Sequence, residues 1–393
     1  MSQNTMVFLF RYGAGEHVNF LPALPELCCR LQQEGWHCEH LGFKSDEVVS
    51  KDLSKACTIH NLFFRVNRAK RFDKFLKAFL WLSMLPWLGW RLQRRGVHTV
   101  FVDETLPLSA FLLRLFYQGR LCFTVHDFFT DIYLSDRWWT RGVGRWIKRR
   151  DAKDWKRLDL LFVRVSAAKE YLISLGVSEE RIHVIPDSVD TDLFAPGASE
   201  AFRAQWGIAE EDVVLMHHGI LHPNKGNIRL LEAFAAICDE VSSCRLVLIG
   251  DGSEMPYLCK KVEELGVEDQ VILTGWLPGL ADIADALRAA DIGLVMRLGL
   301  PGDDFHVTST LVHNLASGLP ILGVRLKGIE ETITEGKEGL LFDPECGSEF
   351  RDHLKTLVEN KELRGQMAKE SRSLAETQFA RERIAKEYVK RLC

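Results

Sequence analysis

The amino-acid sequence predicts an α/β protein built from two doubly wound, parallel-sheet (Rossmann-like) domains. Three observations lead to this fold class. The chain has 393 residues, which is more than one ordinary hydrophobic core accommodates. Short runs rich in Val, Ile and Leu recur, each followed by a longer helical pattern, as expected for parallel strands buried on both faces. The set of runs also appears twice along the chain.

The strands are predicted in order. In the first half the apolar runs are MVFLF, HTVFVDE, LCFTVHD, LDLLFVRVS and IHVIPD. In the second half they are VVLMHHG, RLVLIGDG, VILTGW, IGLVM, PILGV and GLLFD. Pro196 and Gly197 follow the first set, so we predict domains over residues 1–195 and 196–375, with a last helix over 376–393. Ligands bind beyond the carboxyl ends of parallel strands, and we expect those ends to face each other across a cleft.

Composition narrows the class of protein. Hydrophobic residues make up 47% and charged residues 26% of a chain with net charge −4, which predicts a folded protein without a nucleic-acid partner. Ten cysteines lack zinc-ligand spacing, as is typical of reduced cytosolic thiols. The N-terminus has no basic segment, and no uncharged run reaches the ~20 residues of a membrane span. We therefore expect a cytoplasmic protein.

Two loops of the first domain are candidate ligand sites. Gly13 and Gly15 follow the first strand and precede a helix expected to begin near residue 16 or 17. They allow either a close backbone approach to a ligand or simply a turn with positive φ. His126 ends the strand of LCFTVHD, where its ring can exchange hydrogen bonds with a substrate hydroxyl. The alternative is a histidine packed against Phe128 and Phe129.

The second domain opens with a strand, Gly219, a short loop and Lys225 before an amphipathic helix. The ammonium of Lys225 can neutralise a phosphate, although a lysine at this position is also commonly just solvated.

Another helix is predicted over residues 308–317. Its polar arc carries Ser309, Thr310 and His313, and the hydroxyl groups of 308–310 lie beside the unpaired N–H groups of the first turn. Such a terminus attracts phosphate. Alternatively, Thr308 or Ser309 is an ordinary N-cap and His313 lies on the surface.

At these residues the chain resembles the family 4 glycosyltransferases, which are retaining enzymes of the GT-B class. The resemblance runs from VRVSAAKEYLISLGVSEERIHVIPDSVDTDLFAP through HHGILHPNKGNIRLLEAF and RLVLIGDGSEM to LASGLPILGV and GIEETITEGKEGLLFDP. It implies a GT-B fold whose first domain binds the acceptor and whose second domain binds a nucleotide-sugar. It also implies that the last helix crosses back onto the first domain.

The resemblance implies roles for matching positions. Gly15 would lie near the donor diphosphate or the acceptor, His126 would contact the transferred sugar, and Lys225 would bind the donor diphosphate. Residues 308–310 would receive the β-phosphate. The complete set of donor-binding candidates is Gly13, Gly15, Gly219, Lys225, Gly275, Trp276, Leu277, Asp304, Thr308, Ser309, Thr310 and His313. The resemblance implies that the backbone of 275–277 reads the nucleobase.

The chain departs from the family pattern at three positions. Ile220 stands where the family has Arg or Lys directly after the glycine, and the family's two glutamates fall on Phe305 and His313. Asp304 would cover the sugar and a ring nitrogen of His313 would bind a ribose hydroxyl.

The implied activity is transfer of a sugar, with retention, to a glycolipid or polysaccharide precursor, without metal or cofactor. A sugar-nucleotide 2-epimerase of the same fold and a non-catalytic nucleotide-sugar-binding protein are the alternatives.

Two segments of the first domain combine aromatic and cationic residues. They are RVNRAKRFDKFLKAFLWLSMLPWLGWRLQRRG and DRWWTRGVGRWIKRRDAKDWKRL. This composition suits the anionic face of a membrane, to which the protein would bind peripherally. It equally suits a core helix with a solvated basic edge, and Pro86 argues against one long amphipathic helix.

Overall fold

The computed structural model describes residues 4–44, 47–65, 71–103, 106–126, 128, 141–241, 243–300, 302–305 and 307–393, without side-chain detail for 63–65, 71–75 and 141. The predicted fold class is confirmed, because the strands form two all-parallel sheets flanked by helices. The chain divides into two compact units, Met1–Ser188 with Arg381–Cys393, and Val189–Ala380.

The first unit holds a sheet with strand order β3-β2-β1-β4-β5-β6-β7. Its strands are β1 Thr5–Leu9, β2 His37–Lys44, β3 Thr58–Arg65, β4 Thr99–Val102, β5 Arg120–Val125, β6 Leu160–Val163 and β7 Ile182–Val184. Its helices are α1 Ala14–Phe20, α2 Leu24–Gln33, α3 Lys51–Ala56, α4 Arg71–Arg94, α5 Ser109–Arg114, α6 Arg141–Trp155 and α7 Ser166–Ser174. The strand order reverses between β1 and β4, which is where ligands bind in doubly wound folds.

The second unit holds a sheet with strand order β10-β9-β8-β11-β12-β13. Its strands are β8 Val213–His218, β9 Cys244–Ile249, β10 Val271–Gly275, β11 Ile292–Val295, β12 Ile321–Val324 and β13 Gly339–Phe342. Its helices are α8 Glu200–Gln205, α9 Asn227–Ala235, α10 Met255–Leu265, α11 Leu280–Arg288, α12 Ser309–Ala316, α13 Lys327–Glu330, α14 Gly347–Glu359 and α15 Lys361–Leu374. Here the strand order reverses between β8 and β11.

The last helix, α16 Arg381–Leu392, packs in the first unit. Its Tyr388 is fully buried, with ring centroids 5.7 Å from Phe101 and 5.0 Å from Phe162. Arg120 donates hydrogen bonds to the carbonyl oxygens at the end of this helix. The helix therefore completes the hydrophobic core beneath β4 and β6.

The observed boundaries differ from the expected ones at residues 195 and 376. The second unit begins at Val189, because its N–H donates to Phe379 O at 2.8 Å and Arg372 Nη1 donates to Phe194 O at 2.8 Å. The π-helical turn Ala375–Phe379 also belongs to this unit, so the return to the first unit starts at residue 381.

Two features of the first unit contradict sequence expectations. Strands β2 and β3 were not predicted, because polar residues such as Glu39 and His60 interrupt their apolar pattern. Pro86 lies inside the continuous helix α4 and does not divide it. The buried face of α4 is formed by Trp81, Leu85, Leu88 and Leu92, each at most 1% exposed. Burial of this stripe supplies the tertiary packing that holds the helix together across the proline.

Candidate active site

In the second unit, the loops that follow β8 and β9 approach each other through bare backbone. Gly219 follows β8 with φ +147°, and Gly250 follows β9 with φ +139°. A Cβ added to Gly250 would lie 1.8 Å from Gly219 O, so no side chain fits there. Gly219 also faces the start of α12, because its Cβ would lie 3.8 Å from Thr310 Oγ1. Bare backbone therefore lines this point of strand-order reversal.

The loop that carries Lys225 leaves directly from this point. Residues Pro223–Lys225 form a 3₁₀ turn, and Gly226 with φ +76° leads into α9. Lys225 is half-buried, and its positive charge contributes, after burial, to lowering the pKa of His217 to about 4. Lys225 thus lies near the end of β8, as a phosphate-binding lysine would. Ile220, where the family pattern has a cation, is 55% exposed.

Helix α12 begins without a side-chain cap and has no acidic residue in its first turn. No acidic side chain within that turn therefore neutralises the positive end of the helix. The three hydroxyl groups expected to lie together are separated. Ser309 is exposed, Thr310 Oγ1 donates to His218 O at 2.8 Å, and the oxygen of Thr308 is buried without a partner among the described residues. Thr308 occupies the N-cap position but does not cap through its side chain.

The alternative in which His313 lies on the surface is wrong. The residue is 7% exposed because Phe194 stacks on its ring, with centroids 3.9 Å apart and planes at 9°. On the other side its Nδ1 lies 3.0 Å from Nε2 of His218, whose ring is stacked at 5.3 Å. Burial lowers the pKa of His313 to about 3, so the ring is neutral.

The predicted nucleobase segment follows β10 at the edge of the sheet. Gly275 has φ +74°, and its carbonyl oxygen accepts a hydrogen bond from Gly250 N at 2.9 Å. Trp276 is 61% exposed and Leu277 is half-buried. The structure therefore places this segment next to the Gly219–Gly250 backbone, on the same edge of the second unit.

Asp304 is already engaged within its own unit. Its Oδ1 accepts a hydrogen bond from Lys327 N at 3.2 Å, and its Oδ2 lies 3.9 Å from Lys327 Nζ. The neighbouring Asp303, which sequence reasoning did not select, forms a buried pair with Arg297 at 2.8 Å. This pair anchors the segment that precedes α12.

In the first unit, the two glycines after β1 have different surroundings. Helix α1 begins at residue 14, before the expected start. Gly13 has φ −73°, so it does not require positive φ, and its N–H donates to Glu16 Oε2 at 3.2 Å. A Cβ on Gly15 would lie 2.8 Å from Glu47 O. Glycine is therefore required at position 15 because the backbone at Glu47 packs against it.

His126 is held by an ionised partner. Its Nε2 lies 2.8 Å from Asp103 Oδ1, and its Nδ1 lies 3.5 Å from Arg164 Nη2. Of the two aromatic rings considered from sequence as packing partners, Phe128 contacts Trp155 and Tyr171, and Phe129 lies outside the described residues. His126 keeps 26% of its side chain exposed, so a ligand can reach it.

Asp103 connects His126 to further buried residues. Its Oδ2 lies 2.9 Å from His17 Nε2, and His17 Nδ1 lies 3.1 Å from His40 Nε2. Burial alone would raise the pKa of Asp103, but its two histidine partners outweigh burial and hold that pKa well below its usual range. The pKa of His40 is well below its usual range, mainly because the ring is buried and secondly because His17 lies beside it. Sequence reasoning missed these residues, although Asp103 follows β4 as His126 follows β5.

Two family models match the chain, one over each half. The model described as "Glycosyltransferase Family 4" matches residues 26–193, and the model described as "Glycosyl transferases group 1" matches residues 198–374. The N-acetyl-alpha-D-glucosaminyl L-malate synthase of Bacillus anthracis is 27% identical over 207 residues, covering 53% of this chain and 52% of that protein. The D-inositol 3-phosphate glycosyltransferase of Corynebacterium glutamicum is 30% identical, covering 50% and 48%. The chain spans about half the length of these relatives.

A solved structure gives the fold over nearly the full length. Anabaena HepE in complex with UDP-glucose superposes with a TM-score of 0.71 at 17% identity, covering 99% of both chains. At this identity the similarity supports the fold alone. The two matched segments of the family models correspond to the two observed units.

Proposed function

The chain belongs to the family 4 glycosyltransferases of the GT-B class, and on this premise we propose that it transfers a sugar from a nucleoside-diphosphate donor to a hydroxyl acceptor with retention of configuration. The second unit would bind the donor and the first unit the acceptor. One observation carries the proposal: Gly219, the Lys225 loop and the uncapped start of α12 meet where the strand order of the second sheet reverses.

The proposed donor site binds a diphosphate through one cation and backbone N–H groups. Lys225 provides a point charge, and the start of α12 at Ser309 provides N–H groups and the positive end of a helix. The bare backbone at Gly219 lets phosphate oxygens approach closely. The exposed Trp276 and the Gly275 turn would contact the base. Thr310 would act indirectly, because its hydroxyl ties α12 to the end of β8.

In the proposed reaction the bond between the anomeric carbon and the diphosphate oxygen breaks. The new bond forms to the acceptor oxygen on the same face of the sugar, and the departing phosphate oxygen takes the acceptor's proton. Lys225 and the α12 terminus stabilise the charge that develops on the phosphate, which is usually the largest catalytic contribution. His126 would contact the sugar. This scheme needs neither the pair of carboxylates that flank the bond in hydrolases nor a metal or cofactor.

A donor panel tests the proposal. The chain is incubated with UDP-, GDP- and ADP-sugars, and melting temperature and products are measured. UDP-glucose is the first choice, since a protein of the same fold is known in complex with it. We expect one class of donor to raise the apparent stability, by about 2.7 kcal/mol at 100 times its dissociation constant. With an acceptor it should release nucleoside diphosphate as a glycosidic bond forms. A changed sugar on an intact donor, or binding without turnover, would contradict the proposal.

We further propose that the acceptor is lipid-linked and that α4 meets an anionic membrane surface. No helix of the described residues is long and apolar enough to cross a membrane. Along one face of α4 lie the exposed Leu76, Phe79, Trp87 and Trp90, with exposures of 44%, 69%, 42% and 42%. Arg91 and Arg94 lie over the two tryptophan rings. Of the two aromatic and basic segments quoted from the sequence, residues 66–70 and 136–140, which include Trp138 and Trp139, lie outside the described residues.

Liposome flotation tests this surface. We expect co-flotation with vesicles containing anionic lipid at low salt and release at high salt, because cationic residues attract anionic headgroups while the aromatic rings enter the interface. Replacing both Trp87 and Trp90 by Ala should reduce binding at least severalfold. Tyr257→Ala, which removes a 67% exposed ring from the second unit, is the matched control. Equal flotation of both variants, or no flotation of the wild type, would refute the proposal.

A further inference from the structure

A chain of polar side chains, buried except for His126, crosses the first sheet near the carboxyl end of β1. It links His40 on β2, His17 on α1, Asp103 after β4 and His126 after β5. Asp103 and His17 are 0% exposed and His40 is 1% exposed. The contact between His17, on the helix after β1, and Asp103, directly after β4, lies where the strand order of this sheet reverses. A buried charge of this kind is retained only with full hydrogen-bonding partners.

The carboxylate fixes the proton positions of its two neighbours. An ionised carboxylate can only accept hydrogen bonds, and each oxygen of Asp103 faces one imidazole Nε2. Both His17 and His126 must therefore carry a proton on Nε2. In neutral His17 the lone pair then lies on Nδ1, which accepts from His40 Nε2–H at 3.1 Å. The donor directions are therefore consistent from His40 through His17 to Asp103, and from His126 to Asp103.

The other nitrogen of His126 meets a second fixed group. Arg164 Nη2 lies 3.5 Å from Nδ1, at the outer limit of a hydrogen bond, and an arginine can only donate. The guanidinium is held by Asp187 at 3.1 Å and by Pro186 O at 3.3 Å, and Arg164 is 5% exposed. Nδ1 is thus a hydrogen-bond acceptor with a long, weak contact, on a ring that remains partly exposed.

We propose that Asp103 is a positioning residue that holds His126 with its proton on Nε2 and presents Nδ1, beside Arg164, as an acceptor for a substrate hydroxyl. The proposal rests on the proposed function in that this hydroxyl belongs to the sugar or the acceptor. The site would therefore select a hydroxyl that donates to His126. His17 and His40 extend the same constraint, because they fix the second oxygen of Asp103.

The test combines a spectroscopic readout with kinetics. In the full chain labelled with ¹⁵N-histidine, His126 should show a protonated Nε2 and an unprotonated Nδ1 at neutral pH, with His126→Gln identifying its signals. In Asp103→Asn an amide N–H₂ faces one ring, so the His126 or the His17 tautomer should switch. With UDP-glucose, or whichever donor the panel identifies, kcat should fall about tenfold, as for the loss of one aligned hydrogen bond, while KM for the donor changes less than threefold.

Glu39→Gln is the matched control. Glu39 is also buried and pairs with Arg95 at 2.5 Å, on β2 of the same sheet. The Glu39→Gln variant should be less stable than the wild type, with the His126 tautomer and kcat unchanged. A proton on Nδ1 of wild-type His126, or an unchanged tautomer and kcat in Asp103→Asn, would overturn the proposal. Absence of transfer from every donor would instead refute the proposed function, since the tautomer measurement needs no substrate.

Discussion

Replacing Lys225 by Ala should lower turnover by ~10²-fold or more with any donor that the chain uses. The reason is the departure at Ile220, which leaves the proposed donor site without the second cation of the family pattern. The proposed stabilisation of charge on the leaving phosphate then depends on the Lys225 ammonium and the start of α12. Steady-state kinetics with the donor identified by the panel give the comparison.

Lys260→Ala is the control for this substitution. Lys260 lies on α10 in the same unit, 76% exposed, with Glu264 at 3.2 Å as its partner. We expect its turnover to stay within twofold of the wild type. Near-normal turnover in Lys225→Ala would remove this lysine from the chemistry and with it the proposed way of binding the diphosphate.

Acidification should destabilise the second unit through its buried histidines. Burial lowers the pKa of His313 to about 3 and of His217 to about 4, against about 6.5 when unfolded. Between these values only the unfolded chain binds the proton, so stability is full above pH ~6.5 and falls as pH decreases. The expected loss is ~1.4 kcal/mol per pH unit for each such histidine. Urea unfolding at pH 7.5 and 5.5 measures it.

Two variants test whether His313 contributes to this loss of stability. His313→Gln keeps a polar group beside His218 but cannot titrate, so its stability should fall ~1.4 kcal/mol less between pH 7.5 and 5.5. His222→Gln, at an exposed histidine of the same unit, should lose as much stability between pH 7.5 and 5.5 as the wild type does. If His313→Gln shows the wild-type pH dependence, the ring does not titrate as its burial requires.

The fold was predictable wherever a strand is apolar along its length. Every strand of the second sheet lies in such an apolar run, as β8 and β12 do. Because the set of runs occurs twice along the chain, two sheets were predicted. Strands β2 and β3 were missed for a physical reason. Glu39 and His40 are buried with partners distant in sequence, Arg95 and His17, so their polarity hides a buried strand.

Site residues were predictable where their position in a loop after a strand identifies them. They were not predictable where contacts between distant segments determine their surroundings. Gly219 and Lys225 were found because a strand, a glycine and a helix follow one another. His313 was misplaced because helical periodicity cannot show that Phe194 covers the polar arc of α12. The pairing of His17 with Asp103 joins residues 86 positions apart, which no local pattern encodes.

A crystal structure of the chain with bound UDP would show whether the donor diphosphate binds in the second unit. We expect the diphosphate to lie in the second unit, with Lys225 Nζ and the N–H groups at Ser309 within hydrogen-bond distance of its oxygens and the base beside residues 275–277. A diphosphate bound elsewhere, or a Lys225 side chain turned away from a nucleotide bound at this point, would contradict it.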